Sequence, residues 1–297
     1  LVKELEPGLN ALFGLEYKRY DNQHAEIYTN ESSDRAFEEE VMLSGFANAN
    51  VKVEGSGVNY DQSQETYTAR YTHDTIALAF AITEEAIEDN LYDRISSRYT
   101  KALARSMSNA KQVKAAAPLN NGLPSVDGFD SGDGVSLFNT SHTTVSGTNV
   151  KNTLTTQADL NETSLEQALI DIASFTDERG LRVAAKGVKM IIPSANQFSA
   201  ERLLKSQGRT GTADNDINAV ASMGMVPQGY RVNNFLTDSD SWYIITDVPN
   251  GMKMFTRAPL ATAMEGDFDT GNVRYKARER YSFGVSDYRG IFGCEGA

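Results

Sequence analysis

A single cysteine, Cys294, occurs in the 297 residues, so no internal disulfide can form. A reducing cytoplasm fits this better than a stapled secreted domain. Cys294 itself reads as a small buried hydrophobe rather than a reactive thiol. Histidine is also scarce. His24, His73 and His142 lie far apart, with no second His or Cys at ligand spacing, which disfavours a zinc site. His142 reads as a packing or hydrogen-bonding residue. No apolar stretch approaches the ~20 residues that span a bilayer, so a membrane role is unsupported. No basic run occurs and the formal charge is −12, so a sequence-independent grip on phosphates is not the expected task.

Recognisable chemistry is missing too. There is no phosphate loop, since the Gly208-Arg-Thr-Gly-Thr212 tract lacks the lysine and a preceding strand. No Gly-x-Ser-x-Gly elbow occurs. Asp127, Asp130 and Asp133, set among glycines, miss the alternate-residue pattern of a calcium loop and read as a solvated turn. Glu84 with Glu85, and Asp267 with Asp269, read as cap and turn residues rather than acid/base pairs. Asn-x-Ser/Thr triplets at Asn30, Asn139 and Asn161 carry no meaning without a secretory context. The expectation is therefore no catalytic, cofactor or metal residues, and a protein that is not an enzyme. The chain starts at Leu1 rather than methionine, which leaves room for a removed leading segment.

What is present is length and periodicity. Thr83 can cap a helix whose first turns carry Glu84, Glu85 and Glu88. Ile87, Leu91, Ile95, Tyr99, Leu103, Met107, Ala110, Val113 and Ala117 then recur every three or four residues, predicting one apolar stripe. Pro118 and Asn120-Asn-Gly122 predict its end, so the helix spans 83–117. It would be about 50 Å long, against an expected radius of gyration of about 19 Å. Such a helix is a spine.

Residues 1–40 contain too little clustered apolar surface for a domain and read as an arm. Val51 and Val53 suggest a strand over 50–54, Gly55-Ser-Gly57 a turn, and Thr66 to His73 the return strand. A ribbon so polar is marginal alone and needs something to lie on. After the spine, residues 120–156 form a long irregular connection around Leu137-Phe138. Thr163-Ser-Leu-Glu166 reads as a capping box for a helix with Leu165, Ala168, Leu169, Ile172 and Phe175 on one face, ended by Gly180. Val188 to Ile192 reads as a buried strand, Ser194 with Gln197 as the cap of a helix to Lys205, and 208–218 as a mobile loop. Strands are predicted at 231–235, 242–246 and 252–257. A very long half-buried strand follows, with Val273, Tyr275, Ala277, Glu279, Tyr281, Phe283 and Val285 alternating with Arg274, Lys276, Arg278 and Arg280.

The order arm, ribbon, spine helix, irregular linker, helix-and-strand domain and closing strand resembles the major capsid protein of tailed bacteriophages. This is an α+β fold of the Hong Kong 97 type, and the resemblance is nearest to the Mu-like head subunit group. The run from Ala69 to Asn90, the piece Leu137-Phe-Asn-Thr-Ser-His142, the strand Trp242-Tyr-Ile-Ile-Thr246 and the ending Tyr281 to Gly293 carry it. The resemblance implies an N-terminal arm over 1–40 and an extended β-hairpin loop over 41–75. A peripheral domain over 76–159, an axial domain over 160–260 and closing strands over 261–297 follow. It implies a shell subunit of hexamers and pentamers, found in the virion and assembled in the host cytoplasm. It encloses double-stranded DNA without strong sequence-specific binding and has no cofactor. A scaffold, a portal and a decoration or cement protein are the further partners it suggests. Lys52, Glu54, Glu65 and Arg70 are the expected inter-subunit contacts. Some members of this fold cross-link a loop lysine, and Lys52 is the only lysine here, but no partner is evident and no cross-link is inferred. A nanocompartment shell enclosing cargo enzymes is the alternative, and a carbohydrate-active or surface-binding protein is the second.

Overall fold

The computed structural model describes residues 2–88, 92–126, 128–209, 216–267 and 271–297. In chain order the elements are α1 (Val2–Arg19), β1 (Thr29–Ser32), β2 (Phe37–Leu43), β3 (Glu65–Thr72), β4 (Asp74–Ile82), α2 (Glu84–Glu88) and α3 (Tyr92–Asn121). Then come β5 (His142–Thr143), β6 (Asn149–Val150), α4 (Glu162–Ala173), β7 (Gly187–Ile192), α5 (Gln197–Lys205) and α6 (Ala219–Met223). The chain closes with β8 (Tyr230–Val232), β9 (Trp242–Thr246), β10 (Met252–Gly266), β11 (Val273–Val285) and β12 (Ile291–Cys294).

Two four-stranded sheets organise these, in the orders β1-β10-β11-β4 and β12-β9-β7-β8. β11 has the bounds its alternation predicts. Val273, Tyr275, Ala277, Glu279 and Tyr281 turn inward, toward the helices. β10 runs 15 residues, well past the expected 252–257. Its Ala-Pro-Leu-Ala-Thr-Ala tract has no alternation to reveal a strand. The register shifts between Thr256 and Ala261 place Pro259 at an irregularity, where its missing N–H breaks no ladder.

The spine differs from expectation in three ways. Thr83 Oγ1 does accept the Ala86 N–H at 3.4 Å, but the helical residues fall in α2 and α3, and the junction lies outside the described residues. The helix continues through Pro118 to Asn121, stopping at Gly122. Its buried face is Thr100, Leu103, Ala104, Met107, Ser108, Gln112, Ala115, Ala116 and Leu119, whereas Tyr99 and Val113 of the expected stripe are half exposed. Small residues on this face allow close approach of α1. Leu9 and Phe13 of α1 pack there with Leu103, Ala104, Met107, Tyr275 and Ala277. The segment read as an arm therefore contains an 18-residue helix. Pro7, Gly8 and Gly14 mask it in the sequence, and packing against α3 overrides their low propensity.

The larger core joins the second sheet to the helices, with Trp242, Tyr243 and Ile244 of β9, Ile291 and Phe292 of β12, and Leu165, Ala168 and Ile172 of α4. The cap of α4 lies two residues before the expected one, Thr163. Asn161 is the cap, and it exchanges hydrogen bonds with Ser164. α4 ends at Ala173, and Gly180 instead turns a later loop with φ +83°. α5 ends at Lys205 as expected, although no side chain caps it. The 231–235 strand is shorter, Tyr230–Val232, and most of the 208–218 loop lies outside the described residues. At Gly290 a Cβ would stand 2.3 Å from Gly251 Cα, so glycines at both positions let the start of β10 touch the turn before β12.

Candidate assembly surface

The expected strand over 50–54 is not formed. The ribbon pairs β2 with β3, Phe37 opposite Thr72 and Val41 opposite Thr68, and its irregular tip spans residues 44–64. The pairing strand precedes Gly45, in the acidic Phe37-Glu-Glu-Glu40 stretch that the sequence reading gave to the arm.

The base of the ribbon is fixed to the first sheet by buried polar contacts. Tyr71 packs edge-on against Phe255 at 4.8 Å between ring centroids, and its hydroxyl meets Ser286 Oγ at 2.5 Å. Ser286 donates to Glu40, whose carboxylate also takes Lys253 Nζ at 2.5 Å. Glu31 lies 3.1 Å from the same ammonium. Burial lowers the Lys253 pKa, but the hydrogen bonds and charges of Glu40 and Glu31 outweigh it and hold the group above the usual lysine range. His73 bridges Ser282 Oγ (3.0 Å) and Ser33 Oγ (2.9 Å). Burial lowers its pKa.

The tip is the opposite environment. Ser44 N–H donates to Gln64 O at 2.9 Å and closes the neck. Beyond it every residue from 46 to 64 is exposed. These include Phe46, Val53 and Val58, Val51 at 94% and Tyr60 at 98%. Asp61 accepts the N–H groups of Ala47 (2.7 Å) and Gln62 (2.8 Å), which hold its carboxyl below the ordinary range. Arg179 reaches in, donating to Gln62 O at 2.6 Å. The tip is thus shaped by its own backbone and one arginine, with no apolar cover.

Of the four expected contact residues, Lys52, Glu54 and Glu65 are exposed and form no ion pair among the described residues. Arg70 is engaged within its own subunit. It lies 3.8 Å from Glu39 and stacks over the Phe37 ring at 4.1 Å.

The remaining chemistry-bearing groups are structural. His142 is fully buried, bonded to Asp133 (2.6 Å) and Asn152 (3.1 Å) and stacked on Tyr288. Asp133 is therefore a histidine partner and Asp130 is exposed, paired with Ser136 only through the backbone, while Asp127 lies outside the described residues. Arg289 is buried between Glu178 (2.6 Å) and Asp287 (3.2 Å). Sequence alone did not single it out, because its partners lie 111 and two residues away. Glu279 is buried beside Lys111 at 3.1 Å, and burial raises its pKa. Cys294 is buried, and its thiol donates to Gln157 Oε1. Among the described residues no group of three or more His, Cys, Asp or Glu could hold a metal ion. No described helix is long and apolar enough to cross a membrane.

The sequence profile of the family described as "Phage capsid protein" matches residues 66–293, or 228 of the 297. The chain belongs to the phage capsid protein family. No curated protein matches it. Among solved structures, the capsid of an empty GTA particle is similar at TM-score 0.56 and 12% identity, over 94% of this chain and 91% of that one. A virus-like particle from Pyrococcus furiosus is similar at 0.54 and 11%, over 97% and 98%. The capsid of Myoviridae phage XM1 is similar at 0.52 and 12%, over 91% and 89%. At these identities the likeness carries the fold, the mixed helix-and-sheet capsid fold of the Hong Kong 97 type. This capsid protein is a structural shell subunit, and the family match favours that over the nanocompartment alternative. No comparison assigns it to the Mu-like group.

Proposed function

We propose that this capsid protein self-assembles, as hexamers and pentamers, into the icosahedral head that encloses a double-stranded DNA phage genome. It acts as a structural protein and not as an enzyme. In this reading the sheet of β10 and β11 with α3 is the peripheral domain, the sheet of β7 and β9 with α4 and α5 is the axial domain, and the ribbon lies on the next subunit. Scaffold, portal and decoration proteins are the partners such a head would use, and the virion is its destination. A net charge of −12 suits a container that must not adhere to its contents.

The observation that carries the reading is the ribbon. Its base is anchored by buried hydrogen bonds and ion pairs, while Phe46, Val51, Val53, Val58 and Tyr60 are left in solvent at its tip. Exposed apolar surface of this extent, held on a fixed base, marks a protein interaction site. Lys52, Glu54 and Glu65 supply its unpaired charges.

Deleting residues 55–65 tests this. The expected result is a folded subunit, about 1 kDa lighter than the 32.5 kDa parent, that no longer forms megadalton particles by light scattering and negative-stain microscopy. Shells of parental yield from the deletion would refute it.

A further inference from the structure

Beyond its neck the ribbon has one polar tie to the body of its own subunit among the described residues, Arg179. Its Nη2 donates to Gln62 O at 2.6 Å and lies 3.5 Å from the Asp61 carboxylate. The neck gives the tip a pivot. Ser44 and Gln64 exchange hydrogen bonds at 2.9 and 3.0 Å, and Gly45 beside them sits at φ +67°, a conformation that glycine adopts without strain. Held at the neck alone, the tip would be free to swing.

Arg179 stands on a loop with little freedom. The Asp177 carboxylate accepts the N–H groups of Arg179 (2.9 Å) and Leu181 (2.8 Å), and Gly180 turns the chain at φ +83°. Glu178, next to Arg179, accepts the Ser146 N–H on its carbonyl at 2.9 Å and holds Arg289 Nη2 on its carboxylate at 2.6 Å. Arg289 also donates through Nε to Thr176 O at 2.8 Å and through Nη1 to Asp287 at 3.2 Å. One buried guanidinium thus grips the Arg179 loop on one side and Asp287 on the other. Ser286, adjacent to Asp287, is the foot of the ribbon, bonded to Tyr71 and Glu40. The contacts close a ring that runs from the ribbon base through Ser286, Asp287, Arg289, Glu178 and Arg179 to the tip. Planar, charge-assisted forks in a buried setting make such a ring stiff.

We infer that Arg179 is a positioning residue, a strut braced by Arg289 that holds the ribbon tip at one angle in the free subunit, so that the tip meets its partner already oriented. A tip so held has less conformational freedom to lose on docking. The inference rests on the reading of the ribbon as the association element and adds what sets its direction.

Nitroxide labels on full-length Y60C/I170C, both exposed positions, report the distance from the tip to α4 by pulsed electron spin resonance. Cys294 is buried and stays unlabelled. The labelled parent should give one narrow distance. R179A should melt like the parent, because this side chain bonds only the tip, and should broaden the distribution at least about twofold. R289K keeps the charge and loses the fork, and should broaden it with Arg179 intact. Without labels, R179A should raise the protein concentration needed for half-assembly by about three- to tenfold. A distribution as narrow as the parent's in R179A would overturn the inference. So would assembly of R179A at the parental concentration or below it, the latter meaning that Arg179 restrains the ribbon rather than orienting it. If R289K does not fold, R179A alone decides. If the 55–65 deletion abolishes shells while R179A assembles as the parent does, only the strut fails. If the deletion itself assembles, the ribbon reading fails, whatever the distances show.

Discussion

Trp242 and Tyr60 are both large aromatic side chains, one with 0% and the other with 98% of its surface exposed. Trp242 sits on β9, walled by Phe292 and tied through its indole N–H to Ala158 O at 3.0 Å. Tyr60 sits on a loop whose only polar ties are local turns and Arg179. The first region satisfies its apolar surface within one chain. The second has the same kind of surface and nothing of its own to place over it. Stability in this molecule belongs to the core, and the proposal above assigns association to the ribbon.

That contrast can be broken by mutation. Trp242→Ala should cost about 4 kcal/mol of subunit stability, read as a lower denaturant midpoint with an unchanged slope. A loss under about 1 kcal/mol would mean the core is not where stability resides. The 55–65 deletion removes the Ser44–Gln64 hydrogen bonds of the neck and should cost only about 1–2 kcal/mol, well below the loss at Trp242.

A smaller effect sharpens the comparison by pH. His24 joins the N-terminal segment to the spine through Gln112 at 2.8 Å and packs on Phe283. Burial, and secondarily the charge of Lys111, push its pKa down to about 4. The folded state thus keeps it neutral while the unfolded chain protonates near 6.5. The unfolded state then binds the extra proton, so stability falls as pH drops from about 6.5 to about 4, by about 2 kcal/mol after allowing for partial exposure. His24→Gln should flatten that part of the stability profile. An unchanged profile would remove His24 from the account.

Legibility in the sequence followed the strength of periodicity. β11 and β9 were readable because bulky and polar residues alternate, or because a short apolar run is buried on both faces. β10 was not, since alanines and Pro259 give no alternation. α1 was hidden by Pro7 and two glycines, and the buried face of α3 by its alanines and serines. Hydropathy points to bulky residues such as Tyr99 and Val113, whereas close packing selects small ones. The ribbon was legible as a polar two-stranded segment, but its pairing strand was misplaced, because Glu40 looks solvated until Lys253 and Ser286 are seen beside it.

The most direct measurement is amide hydrogen exchange over residues 44–64, in the isolated subunit and in assembled shells. These amides should exchange freely in the subunit and slow by about a hundredfold or more in the shell, with the β9 amides protected in both. Equal, fast exchange in the two states would contradict the claim that another subunit covers the ribbon.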